Sequence, residues 1–167
     1  ARKIVRAGGR SFPFPADVAD FAQVDSMVKQ VIARFKNLHI LVNNAGLYLR
    51  TRGVRQDLSK ISVEDWNRFL AVNLSGAFYL AKCAVPHMQR QKYGSIVNMS
   101  SQAGKTGGLV NGLHYGASKA GLIGLTKGLA RELAPHNIRV NCICAGRIST
   151  PENLKVPKIF HRKLLQQ

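Results

Sequence analysis

His39-Ile40-Leu41-Val42-Asn43-Asn44-Ala45-Gly46 is the stretch that decides how this chain folds. Residues 39–42 are almost wholly apolar and predict a short strand of the kind buried on both faces of a parallel sheet. The strand runs directly into a turn of amides and small residues. Small residues let a ligand approach the backbone, and the amides supply donors and acceptors. By itself such a turn is also an ordinary one, since Asn tolerates unusual dihedrals.

Working outward, the same pattern repeats. Ser95–Met99 is a second apolar strand and ends in Ser100-Ser101; Asn137–Cys144 is a third and ends in Ala145-Gly146. Helical runs separate them. One covers 21–36, with Phe21, Val24, Val28, Val31, Ile32 and Phe35 at helical spacing behind a capping Asp20. Another covers 63–91 and opens on the acidic turn Val63-Glu64-Asp65-Trp66. A third starts near His114 and reaches Pro135. Strands alternating with helices imply βαβ units, a parallel sheet and an α/β layered fold. Each polar motif sits at a strand's carboxyl end, where doubly wound sheets build ligand sites.

At the flanks, Ala1–Ala7 reads as a helix end stopped by Gly8-Gly9. Ser11-Phe12-Pro13-Phe14-Pro15 reads as an extended run that its prolines demote to an edge strand. Residues 47–62 form a polar, Arg-rich loop suited to flank a substrate pocket, and a Gly-rich loop spans 104–112. Glycines 121, 124 and 128 mark one side of the third helix, a cost that close packing of a neighbour would offset.

The 167 residues suit a single domain with a proper core, and 46% are hydrophobic. No apolar run approaches the ~20 residues of a membrane span, and residues 1–20 do not read as a signal peptide. Three cysteines make no disulfide framework. Cys142 and Cys144 alternate along a strand as core thiols, and the histidines match no ligand spacing, so no metal site is expected. A reducing compartment follows, cytoplasm or an organelle matrix. The charge is unusual: 25 Lys+Arg against 8 Asp+Glu, a net +17. That suggests an anionic partner. Nucleic acid ranks low as that partner, because no recognition-helix pattern or aromatic-interleaved basic strand accompanies the charge.

The chemistry centres on His114-Tyr115-Gly116-Ala117-Ser118-Lys119. Tyr115 and Lys119 are four residues apart and share one helix face. An ammonium beside a phenol favours the phenolate and suits general acid–base work. Ser101 leaves its strand fourteen residues before Tyr115; no Gly-x-Ser-x-Gly elbow surrounds it, so binding a substrate carbonyl fits it better than nucleophilic attack. Asn73 interrupts an apolar helical stretch, where Asn is a mediocre helix former. It would break the hydrogen-bond ladder, hold a water or simply be a satisfied core amide.

In this order, Asp17-Val18, Asn43-Asn44-Ala45-Gly46, Asn73, Ser101, Tyr115-x-x-x-Lys119 and Ala145-Gly146…Thr150 resemble the short-chain dehydrogenase/reductase family, most of all its 3-oxoacyl-acyl-carrier-protein-reductase-like and short-chain alcohol dehydrogenase branches. The likeness covers about residues 1–151. It implies a Rossmann-like doubly wound fold, NAD or NADP as cofactor, and hydride exchange between a small-molecule carbonyl and a secondary alcohol. By resemblance, Asn73, Ser101, Tyr115 and Lys119 form the catalytic tetrad. Asp17 and Val18 contact the adenine, Asn44, Ala45 and Gly46 line the cofactor groove, Tyr115 and Lys119 reach the cofactor, and Ile148 and Thr150 meet the nicotinamide. A homo-oligomer, dimer or tetramer, through helices 63–91 and 115–133 is implied as well. Against the family pattern, Gly8-Gly9 is not the Gly-rich phosphate turn, Ala145 stands where Pro is usual, and two strands and the substrate lid are missing. The expectation is therefore an incomplete sheet, belonging to a fragment, completed by a partner or rearranged. The competing reading is a non-catalytic, strongly basic subunit derived from the family that binds an anionic partner.

Overall fold

The computed structural model describes residues 1–48, 56–107, 112–146 and 148. Its centre is a parallel three-stranded sheet in the order β1 (Ile40–Asn43), β2 (Gly94–Ser101), β3 (Ile138–Ala145). Register pairs Leu41 with Ile96 and Asn43 with Asn98 on one side of β2, and Ile96 with Val140 and Asn98 with Cys142 on the other. This is the α/β, Rossmann-like arrangement expected, with its sheet partial.

Helices follow the sequence closely. A short α1 (Arg2–Arg6) ends at Gly8, whose φ of 82° is the left-handed stop that glycine permits. The second helix, α2 (Phe21–Phe35), is capped by Asp20, which accepts from the N–H groups of Ala22 at 2.9 Å and Gln23 at 3.2 Å. The run 63–91 divides into α3 (Val63–Leu70), a π-helical turn (Ala71–Ser75) and α4 (Gly76–Arg90). Ser62 caps its start, and the π turn sits on Asn73, the residue expected to break the ladder. Within the stretch read as a Gly-rich loop lies a short helix, α5 (Ala103–Thr106). It is followed by α6 (Leu113–Leu133).

The core lies on one face of the sheet. Ala81, Ala84 and Met88 of α4 and Leu133 of α6 pack on Ile96, Ile138 and Val140; Val24 and Val28 of α2 meet Leu80 of α4 beside it. The opposite face corrects the expectation for residues 39–42. Ile40 is 60% exposed and Val42 54%, because no described element packs over that side of β1. Residues 11–15 form no strand: Pro13 and Pro15 have no N–H to donate, and Phe12 instead packs its ring on Phe14 and beneath the Arg34 guanidinium, 4.0 Å away. Gly121 bears out close packing, since a Cβ there would meet Leu74 Cδ2 at 2.7 Å, whereas Gly124 and Gly128 face open space. By length and composition Val63–Arg90 is apolar enough to cross a membrane, an exception to the sequence expectation. Within this fold its α4 half is occupied in the core.

Candidate active site

The carboxyl ends of β1 and β2 and the first turns of α6 converge on one place. Gly46, just past β1, is the pivot: a Cβ there would stand 3.2 Å from Asn73 Oδ1 and 3.4 Å from Lys119 Nζ. The Lys119 ammonium also lies 5.8 Å from the centroid of the Tyr115 ring. Three motifs far apart in sequence thus share one neighbourhood, and within it Tyr115 and Lys119 lie together as their helical spacing anticipates.

Lys119 is only 6% exposed, and its Nζ donates to the Met99 carbonyl at 2.8 Å. Burial pulls its amine below the ordinary lysine value, with Cys142 opposing weakly. A buried cation kept at such a cost is more readily explained by chemistry than by stability.

Asn73 is 1% exposed and fully engaged. Its Oδ1 accepts from Leu47 N–H at 2.6 Å, and its Nδ2 donates to Leu47 O and to Ser118 Oγ, both at 3.0 Å. Ser118 in turn donates to Tyr115 O at 2.8 Å. The amide therefore ties the turn after Gly46 to the helix carrying Tyr115. Ser101 ends β2 in register with Ala145, and its Oγ accepts from Ala103 N–H at 3.2 Å.

Asp17 and Val18 come in from the turn before α2. A Cβ on Gly76 would meet Val18 Cγ2 and Val18 O at 3.0 Å, so a side chain there would press that turn away from the start of α4 by a few tenths of an ångström. Val18, Asn43, Ala45, Val72 and Asn73 then line one small recess. The Asp17 carboxylate is held below its usual range, first by the Ala19 N–H and further by the Arg68 guanidinium at 3.2 Å. Asn44, Ala45 and Gly46 are exposed. Ile148 is 61% exposed, and Thr150 lies outside the described residues, as do the Arg-rich core of the 47–62 loop and the basic tail.

Sequence reading missed the residues that brace this site. Ser118, Arg68 and Ser100 carry no motif of their own. Nor was the buried chain Asn43 Nδ2 to Asn98 Oδ1 (2.7 Å) and Asn98 Nδ2 to Thr126 Oγ1 (2.9 Å) legible. The one signal was polarity inside apolar strands and helices, which does not reveal its partner.

The short chain dehydrogenase family model matches residues 1–158. Over 152 residues the chain is 42% identical to the 3-oxoacyl-acyl-carrier-protein reductase of Thermotoga maritima, covering 90% of this chain and 58% of that protein. The crystal structure of a Brucella melitensis 3-oxoacyl-acyl-carrier-protein reductase with bound NAD superposes with a TM-score of 0.81 at 36% identity, over 93% of this chain and 58% of that one. A gluconate 5-dehydrogenase from Burkholderia cenocepacia, in complex with NADP and tartrate, superposes with a TM-score of 0.82 at 31% identity, over 92% and 58%. The chain thus spans somewhat over half the length of these relatives, and it belongs to the short-chain dehydrogenase family.

Proposed function

We propose that the protein is an NAD- or NADP-dependent oxidoreductase that interconverts a small-molecule carbonyl and a secondary alcohol. The observation that carries the reading is the buried Lys119 ammonium held beside the Tyr115 ring and Gly46. The neighbourhood fits a dinucleotide. Gly46 leaves open the space before Asn73 and Lys119, and the recess beside Val18 and Ala45 contains Asn43, whose buried Oδ1 has no hydrogen-bond partner among the described residues. Asp17 and Val18 would contact the adenine, Asn44, Ala45 and Gly46 would line the cofactor groove, and Lys119 would hold the ribose hydroxyls, with Ile148 and Thr150 at the nicotinamide.

When bound, the nicotinamide supplies or accepts the hydride. The rest falls to the chain. In the reductive direction the Tyr115 hydroxyl gives its proton to the substrate oxygen, and the adjacent ammonium stabilises the phenolate left behind. Ser101 donates a hydrogen bond that orients and polarises the carbonyl. Asn73 keeps Leu47 and Ser118, and through them both sides of the site, in register. Three free thiols suit a reducing compartment, and the open α6 face at Gly124 and Gly128 suits a homodimer or homotetramer. The net charge of +17 favours the second reading, a non-catalytic subunit with an anionic partner.

The test is a fluorescence titration of the full-length polypeptide with NADH and NADPH, followed by turnover of an acetoacetyl thioester. Tyr115→Phe is expected to lower turnover by about 10²–10⁴-fold, the span of general acid–base assistance, with nucleotide affinity kept within about threefold. A wild type with no affinity for either nucleotide supports the second reading, and an active Tyr115→Phe refutes the role of the phenol.

A further inference from the structure

Lys119 is gripped at both ends. At its tip, Nζ donates to Met99 O; at its root, the main-chain carbonyl accepts from the Ser100 hydroxyl at 2.7 Å, beyond its place in the helical ladder. Ser100 is 5% exposed, so this bond is made away from water. The next residue but two after Ser101 closes the grip. A Cβ at Gly104 would lie 2.7 Å from Lys119 C, 2.8 Å from Lys119 O and 2.9 Å from Ala120 N. Those are main-chain atoms of a long helix and cannot turn aside, so α5 rests on α6 at this point only because residue 104 has no side chain.

We infer that Ser100 and Gly104 are positioning residues: together they clasp the Lys119 backbone and set where its ammonium stands relative to Tyr115 and Ser101. Three consecutive residues of β2 take part. Met99 holds the amine, Ser100 holds the carbonyl, and Ser101 accepts from Ala103 N–H at the first turn of α5, the helix that carries Gly104. Tyr115 shares a helix with Lys119, so the clasp fixes the catalytic pair and the carbonyl-binding serine as one unit. A shift of a few tenths of an ångström at Gly104 would move Ser101 and Lys119 apart, and misplacement near 1 Å can cost on the order of 10²-fold in rate.

This rests on the oxidoreductase reading, and the experiment separates the two. In the full-length polypeptide, Ser100→Ala, Ser100→Thr and Gly104→Ala are compared with wild type for NADPH affinity, thermal midpoint and the pH profile of kcat on an acetoacetyl thioester. The expected result is a tenfold or larger fall in kcat for Ser100→Ala and Gly104→Ala. KM should stay within threefold, and the pH profile of kcat should differ from that of wild type. Ser100→Thr, which keeps the hydroxyl, restores kcat to within threefold of wild type. Wild-type kcat and pH profile in both Ser100→Ala and Gly104→Ala overturn the clasp. A loss with an unchanged pH profile that threonine does not rescue also overturns it, since that is a folding effect alone. A wild type that neither binds NADPH nor turns over refutes the oxidoreductase reading instead.

Discussion

Replacing Asn73 tests the site's architecture most directly, because its amide makes three bonds at 1% exposure. Asn73→Ala strands Leu47 N–H and Leu47 O and takes one donor from Ser118. Each lost bond is worth about 1 kcal/mol, and a buried group left unpaired costs about 1–3 kcal/mol. Leu47 is only half-buried, so water recovers part of that loss, and about 2–3 kcal/mol is expected. For a domain of this size that is a fall in Tm of roughly 5–10 °C. Asn73→Asp discriminates further. It keeps the acceptor for Leu47 N–H but sets an oxygen against Leu47 O and against a Ser118 oxygen whose own proton already goes to Tyr115 O. Burial raises such a carboxyl's affinity for its proton, so the folded state binds more protons than the unfolded one above about pH 4, and the variant gains stability as pH falls from 7 toward 5. The assays are urea denaturation at pH 7 and pH 5 and amide exchange at Leu47, both on the full-length polypeptide. Asn73→Ala within 0.5 kcal/mol of wild type, with Leu47 protection unchanged, would refute the bracing role.

Lys119→Met should be as stable as wild type at neutral pH or up to about 1 kcal/mol more so, while losing turnover, because it removes a cation that pays for burial. Burial holds the Lys119 amine low, so the unfolded chain binds the extra proton between that value and about 10.5 and wild type gains stability as pH rises through that window; denaturation from pH 7 to 10 should show the two converging. His114 is fully buried against Phe69, both ring nitrogens lack partners among the described residues, and burial lowers its proton affinity with Asp65 opposing. Wild type should therefore lose stability as pH falls below about 6.5, and His114→Leu should flatten that acid limb in urea titrations at pH 7 and 5. Gly128 faces open space on α6. If that face joins copies of the chain, Gly128→Leu shifts the mass measured by light scattering to a smaller species, and an unchanged mass removes α6 from the interface.

The sequence by itself determined the alternation of strands and helices, because apolar runs four to eight residues long and helical spacing are local signals. It also determined that Tyr115 and Lys119 share a face, which follows from helix geometry alone, and that Asp20 would cap α2. The interruption at Asn73 was legible for the same reason: a poor helix former in an apolar helix needs a local explanation, and the π turn supplies it. What only the tertiary structure decided are the partners. Ser100 meets Lys119 across 19 residues, Arg68 meets Asp17 across 51, and Asn43 meets Asn98 across 55. A hydroxyl or an amide reads the same in sequence whichever group it bonds. The burial of β1 was likewise undecidable locally, since an apolar strand looks alike whether one face or both are covered; among the described residues α4 and α2 pack on a single side, and Ile40 and Val42 are exposed.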